Sequence, residues 1–546
     1  MRAALRDPQV AYQRRWLTLL VLCISLMVIG LDNTILNVAL PTLAKTGADG
    51  GLAASSSQLQ WIVDSYTIVF AGLLLTAGSL GDRFGRYRFL AVGLVIFGIG
   101  SGLSAMASDA NVLIATRALM GIGGAFIMPS TLSILTNVFT DPAERGKAIG
   151  VWAGVSAIGI GVGPVAGGFL LTHFWWGSVF LVNVPVVIVG LVLGYFLVPE
   201  SKDPSTPHLD PVGAVLSILG LGALLWSIIE APSNGWGDPK TIAGFVVGFA
   251  ILGAFLAWEL HSSHPMLDVR FFENPRFSAA SGAVTLTFFA LFGVVFLLTQ
   301  YLQSVLDYST IKAGAVLIPM SVVMMIAAPL SNVWTVRFGN KRVVATGLAL
   351  VALSMLTFLT LQVDSSTIHV IGTTLLLGLG MGNIMAPATD SIMGSLPRAK
   401  AGVGSAVNDT TRQVGGAVGV AVMGSILSSI YGSHMTSRLT DAGVPAAARG
   451  PLSDSIGKTL GILESKQGRP FADTVTPLAH QSFVNGIHAA AVVAAVVLLI
   501  GMACVIKWLP ARARDDAPAP GAEGALDADQ PTDGLPPVDA PGELVD

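Results

Sequence analysis

Apolar stretches of about 20 to 25 residues, separated by short polar segments, recur along almost the whole chain. As helices rising about 1.5 Å per residue, each is long enough to cross roughly 30 Å of hydrocarbon. Fourteen are placed near 17–41, 58–80, 88–107, 111–138, 147–172, 178–198, 211–230, 240–260, 276–304, 312–334, 342–361, 367–394, 402–431 and 483–509. Lipid offers backbone N–H and C=O groups no partner, so these spans are expected to be helices. The pattern predicts an all-α membrane protein with 14 transmembrane helices.

An internal echo refines that plan. Arg83-Phe84-Gly85-Arg86-Tyr87-Arg88 after span 2 is matched 254 residues later by Arg337-Phe338-Gly339-Asn340-Lys341-Arg342 after span 10. Ile127-Met128-Pro129-Ser130-Thr131 in span 4 is matched at an offset of 258 by Met385-Ala386-Pro387-Ala388-Thr389 in span 12. Two echoes at nearly one offset predict two pseudo-symmetric six-helix halves, a usual transporter plan with a site near the bilayer midplane. The expected organisation is an N-terminal segment 1–16, a first half 17–198, an inserted helix pair 211–260 and a second half 276–509 with a long external loop 432–482, followed by a tail 510–546. The helix plan is thus six plus two plus six.

Composition excludes a soluble chain, since 53% of 546 residues are hydrophobic and 12% are charged. Of 30 Lys and Arg, 20 fall on the side of the two termini and 8 on the other, which predicts cytoplasmic termini. The run after Arg14 and Arg15 is too long for a signal peptide and lacks a cleavage site. After Arg514 the tail holds nine acids, six prolines and no base, the composition of a disordered cytoplasmic extension. Cys23 and Cys504 lie in spans near opposite ends of the chain and suggest neither a disulfide framework nor a metal site.

Two small-residue motifs carry a mechanism. In the turn Gly78-Ser79-Leu80-Gly81-Asp82-Arg83-Phe84-Gly85-Arg86, glycines allow a tight fold-back, and Asp82 could bond a cation or a helix end in one conformer only, acting as a latch. The second copy has Val336 in place of Asp82. In span 5, Gly159, Gly163 and Gly167 share one helix face, with Pro164 and Gly168 beside them. Such a face admits a close neighbour, and the proline bends the helix.

With these motifs the chain resembles the major facilitator superfamily and, within it, the 14-span drug:proton antiporters of the EmrB/QacA type. The turn fits that superfamily's G-x-L-x-D-R-x-G-R pattern, and span 5 fits the antiporter pattern G-x-x-x-G-P-x-x-G-G. Arg117-x-x-x-Gly121 fits the family's arginine motif. Leu31-Asp32-Asn33-Thr34-Ile35-Leu36-Asn37-Val38-Ala39-Leu40-Pro41 is similar to its span 1 signature. Trp175-Trp176-Gly177-Ser178-Val179-Phe180 departs from the W-R-W-I-F run of many relatives. The resemblance implies the major facilitator fold and proton-coupled export of hydrophobic or cationic drugs from a bacterial cytoplasm. It also implies residence in the plasma membrane as a monomer.

Charges inside spans are costly and default to function. Asp32, Asp64 and Arg117 lie roughly 9 to 14 Å below the outer ends of their spans, one layer in which proton coupling is expected. Asp409 and Arg412, spaced i,i+3 on span 13, read as a structural or gating pair. Asn33, Asn37, Trp61, Phe126, Met128 and Met385 are the residues expected to line a substrate cavity. Gly457-Lys458-Thr459 is not a phosphate loop, because Leu452 holds the required earlier glycine position. Neither an enzyme activity, a cofactor, a metal nor a nucleic-acid partner is expected; the partners are small substrates, protons and the lipid bilayer. Export of lipids or of an endogenous metabolite, and a non-transporting membrane sensor, remain as alternatives.

Overall fold

The computed structural model describes residues 8–45, 50–202, 210–263, 265, 267–395, 401–464 and 468–510, so the acidic tail expected over 510–546 lies, apart from its first residue, outside the described residues. The long helices are α1 (Arg15–Ala44), α2 (Ser56–Phe84), α3 (Arg86–Ala105), α4 (Ala110–Val138), α5 (Pro142–His173) and α6 (Ser178–Leu197). They continue with α7 (Pro211–Asn234), α8 (Pro239–His261), α9 (Pro275–Ser304), α10 (Thr310–Phe338) and α11 (Asn340–Phe358). The last are α12 (Thr367–Gly394), α13 (Ala401–Asp441) and α14 (Ala472–Trp508). Among the described residues, twelve helices are long and apolar enough to cross a membrane, and thirteen if α2, which passes as Ser56–Leu74 plus Thr76–Phe84, is one span.

The helix starts follow from local chemistry. Asp141-Pro142, Asp210-Pro211, Asp238-Pro239 and Asn274-Pro275 each place a carboxylate or amide at the N-cap, accepting from a first-turn backbone N–H, and a proline where no N–H is needed. Ser55 and Gln58 close a reciprocal capping box at α2. At the other ends, Gly85 (φ 124°), Gly235 (φ 107°) and Gly339 (φ 84°) stop α2, α7 and α10 in backbone conformations that side chains disfavour.

Packing repeats between the two sets of six helices. The contacts α1 with α5, α2 with α4 and α3 with α4 recur as α9 with α13, α10 with α12 and α11 with α12. The first helix of each set is the most enclosed, with 72% of its apolar window buried in α1 and again in α9. By contrast α8 is only 17% buried, because its main neighbour is α7. Helix α7 in turn lies against both α2 and α13, so the extra pair sits over the seam between the two sets.

The stretch expected as an external loop, 432–482, is largely helical. Helix α13 continues to Asp441, α14 begins at Ala472, and short helices Ala446–Leu452 and Ile456–Glu464 lie between them. Span ends drawn from hydropathy stopped where polar residues begin, yet a helix needs apolar residues only inside the hydrocarbon and can continue beyond it.

Candidate functional site

Asp32 of α1 and Arg117 of α4 form an ion pair, with Arg117 Nη1 2.5 Å from Asp32 Oδ2 and side chains 0% and 1% exposed. Arg117 Nε donates to the Ile62 carbonyl at 3.0 Å, and its guanidinium stands 4.4 Å from the centre of the Tyr66 ring. Asn183 Nδ2 reaches the other Asp32 oxygen at 3.4 Å and Ser101 Oγ at 3.2 Å. Three helices therefore meet at one carboxylate, and α2 and α3 hold its two partners. Asp64, on α2, is equally buried but does not join them: neither of its oxygens has a hydrogen-bond partner among the described residues.

The opposite side of α1 faces a different environment. Asn33, Thr34 and Asn37 line a cavity of about 190 Å³, together with Met128 of α4 and Trp152 and Pro164 of α5. From the second set of helices come Phe288, Leu291, Phe292 and Val295 of α9, Leu317, Met320 and Ser321 of α10, and Arg412 and Gln413 of α13. The cavity thus lies at mid-height between the two sets. Trp61, Phe126 and Met385 are not among its lining residues. Trp61 packs where α2 meets α7 and α13, and Phe126 stands edge-on to Phe89.

The span 5 glycines are contact surfaces. A β-carbon at Gly159 would come within 3.0 Å of Gly30 Cα, one at Gly167 within 2.8 Å of Ile35, and one at Gly163 would collide with Thr34 Oγ1. All three therefore seat α5 on α1, where Thr34 Oγ1 also donates to the Gly159 carbonyl at 3.3 Å. Gly168 faces elsewhere, 2.6 Å from Ile311 Cα by the same measure, and Gly314 of α10 abuts the Pro164 carbonyl. One motif thus touches its own set of helices and the other.

Hydrogen bonds joining the two sets cluster at the end opposite the termini. They run from Thr310 Oγ1 to the Gly168 carbonyl (3.0 Å), from Gln303 Nε2 to the Val38 carbonyl (3.0 Å) and from Ser56 Oγ to the Asp454 carbonyl (2.8 Å). At the end bearing the termini, Asp82 instead pairs locally with Arg86 at 2.7 Å. Beside that pair, Glu200 accepts from the Tyr87 N–H at 3.1 Å and lies 2.7 Å from where a Gly85 β-carbon would stand. Arg83 is exposed, and Gly78 meets only the Pro129 side chain, at 3.5 Å for a built β-carbon.

Comparison with known proteins agrees with this architecture. The family model described as Major Facilitator Superfamily matches residues 22–420. The chain belongs to the major facilitator superfamily. Among superfamily relatives it is 38% identical to the multidrug efflux pump LfrA of Mycolicibacterium smegmatis, covering 90% of this chain and 96% of that one. It is 31% identical to the tetracenomycin C resistance and export protein of Streptomyces glaucescens, covering 92% and 94%. The methyl viologen resistance protein SmvA of Salmonella typhimurium is 33% identical over 84% and 92%. A bacterial homolog of the human lysosomal transporter Spinster shares the fold with a TM-score of 0.61 at 17% identity, over 90% of this chain and 98% of that one. The protein is accordingly a multi-pass membrane transporter.

Several residues around the site escaped the sequence reading of this superfamily member. Asn183, Tyr66 and Ser101 surround the ion pair, and Glu200 braces the motif turn. Asn183 carried a signal, because an amide within an apolar run needs a partner there. Tyr66 and Ser101 carried none. Arg412, expected in a structural or gating pair, lies 3.6 Å from Asp409 and also lines the cavity.

Proposed function

We propose that this superfamily member is a 14-span antiporter that exports hydrophobic drugs from a bacterial cytoplasm in exchange for protons, with both termini cytoplasmic. The observation that carries this reading is the placement of a sealed carboxylate, Asp32, on the side of α1 away from the cavity lined by Asn33 and Asn37. Proton and substrate then occupy separate places and communicate through movement of one helix. A proton on Asp32 and the ion pair with Arg117 exclude each other, so movement of α1 against α4 that breaks the pair frees the carboxylate to take a proton. The conformer closed at the end away from the termini, with the ion pair made, corresponds to the state after proton loss. Opening that end admits a proton to Asp32 and releases the drug. Relatives named for multidrug efflux and for resistance to tetracenomycin C support export of such compounds.

Energy is sufficient for the task. One proton moving down 100 mV yields about 2.3 kcal/mol and each pH unit adds about 1.4 kcal/mol. The direct test is substrate-induced proton release from vesicles holding the purified protein, screened over a panel of hydrophobic compounds. Release that saturates with substrate supports exchange. Compound movement with no proton signal at any imposed gradient contradicts it.

A further inference from the structure

Two arginines stand inside the helix bundle near its centre, and their donors are differently used. Arg117 is 1% exposed, with Nε and Nη1 committed to the Ile62 carbonyl and Asp32. The Arg412 side chain is 27% exposed and lines the cavity between the two sets of helices. Its Nη1 is 3.6 Å from Asp409 Oδ1, beyond hydrogen-bond reach, and its Nη2 makes a long 3.5 Å contact to Thr389 Oγ1. Its Nε is buried with no partner among the described residues. A guanidinium offers five N–H donors in a planar fork suited to paired oxygens. With its side chain 27% exposed on the cavity and its Nη contacts this long, the guanidinium can turn donors to an acceptor placed there.

The surroundings say which acceptor. Among the described lining residues Arg412 alone carries a charge; its ion-pair partner Asp409, and Asp32 and Asp64, are not among them. The Phe288 ring lies 5.7 Å from the guanidinium and 5.9 Å from the Phe292 ring, the two rings tilted 34° to each other, giving an aromatic wall beside the guanidinium. A cation placed here would meet a like charge on the wall, because the Asp409 carboxylate 3.6 Å from Arg412 is not among the lining residues. An aromatic acid would satisfy the fork with its oxygens and stack its rings on the wall.

We infer that the cavity selects flat aromatic anions, with the Arg412 guanidinium holding a carboxylate or phenolate oxygen and Phe288 and Phe292 holding the rings. This rests on reading the cavity as the substrate site. It makes Arg412 the residue that sets specificity, and it assigns drugs of acidic rather than cationic character.

The test is equilibrium binding to the purified full-length protein of three bicyclic probes matched in size: 2-naphthoate, the cation N-methylquinolinium and the neutral 2-acetylnaphthalene. Wild-type protein should hold naphthoate at least about tenfold more tightly than N-methylquinolinium, and Arg412→Gln should weaken naphthoate by on the order of tenfold, about 1.4 kcal/mol. The same variant should weaken acetylnaphthalene, which offers one neutral acceptor, far less than naphthoate, which shows an intact cavity, and Arg412→Lys should recover part of the naphthoate affinity. Equal affinity for the two ions, tighter binding of the cation, or equal losses for naphthoate and acetylnaphthalene in Arg412→Gln would overturn the assignment. Naphthoate that binds in this Arg412-dependent way but moves without protons in vesicles would sustain the assignment while contradicting the proposed exchange.

Discussion

Asp32 and Asn33 are neighbours on α1 with different surroundings: Asp32 is sealed against Arg117 of α4, whereas Asn33 lines the cavity shared with α9, α10 and α13. A 100° step along one helix thus separates the group that can take a proton from the surface that can hold a drug. In the proposed exchange, movement of α1 would be felt by both, across the close contact with α5 that Gly159, Gly163 and Gly167 allow.

Removing one member of the buried pair should cost more than removing both. Arg117→Ala leaves Asp32 without its cation and is expected to destabilise the protein by about 3–5 kcal/mol. Asp32→Asn with Arg117→Gln should regain much of that loss, while transport stays absent. Thermal unfolding in detergent, read beside vesicle transport, checks both statements. Equal melting temperatures for Arg117→Ala and wild type would show that the pair adds little to the fold.

The α5–α1 contact makes Gly163 intolerant of even a methyl group. Gly163→Ala drives a β-carbon into Thr34 and should cost about 1–3 kcal/mol through overpacking. Adding Thr34→Ala removes the colliding oxygen and should recover part of both stability and transport rate. A double-mutant cycle without coupling between the two positions would contradict direct contact.

Much of this architecture was legible in the residues, and the limits are physical. Helix positions followed from apolar runs, whereas the Asp-Pro and Asn-Pro starts, whose capping chemistry is local, are a signal the apolar runs alone pass over. The Asp32–Arg117 meeting was readable as a matching depth in two spans. Rotation about each helix axis was not readable, because mean apolarity around a bundle helix hides which face meets a cavity. That is why the sequence points to Trp61 and Met385 at the cavity and to a structural or gating pair at Arg412, which lines it.

Closure at the end away from the termini can be locked. Thr172 Oγ1 and Thr310 Oγ1 lie 3.1 Å apart across the two sets of helices, close enough for a disulfide between cysteines at those positions. Thr172→Cys with Thr310→Cys should lose transport to background when oxidised and regain it on reduction, with each single variant active throughout. Full transport by the oxidised pair would mean that this end need not open.

The turn after α2 should act on rate more than on stability. The Asp82–Arg86 pair is partly exposed, with side chains 25% and 15% accessible, so its loss in Asp82→Asn should cost about 0.2–1 kcal/mol. If the latch holds one conformer, that change corresponds to a transport slowdown of up to about fivefold with membrane insertion intact. Initial rates in vesicles at matched protein levels decide it. An unchanged rate would leave the turn with a topological role only.

The central claim is that Asp32 carries the proton, and Asp32→Asn tests it most directly because the amide keeps the shape and cannot ionise. Vesicles holding wild type or Asp32→Asn are loaded with a transported compound and followed for proton movement and compound movement at an imposed pH gradient. The account predicts that Asp32→Asn folds and binds the compound yet shows neither proton movement nor uphill transport. Proton-coupled uphill transport at the wild-type rate in Asp32→Asn would contradict it and leave the unpartnered carboxyl of Asp64 as the group to examine.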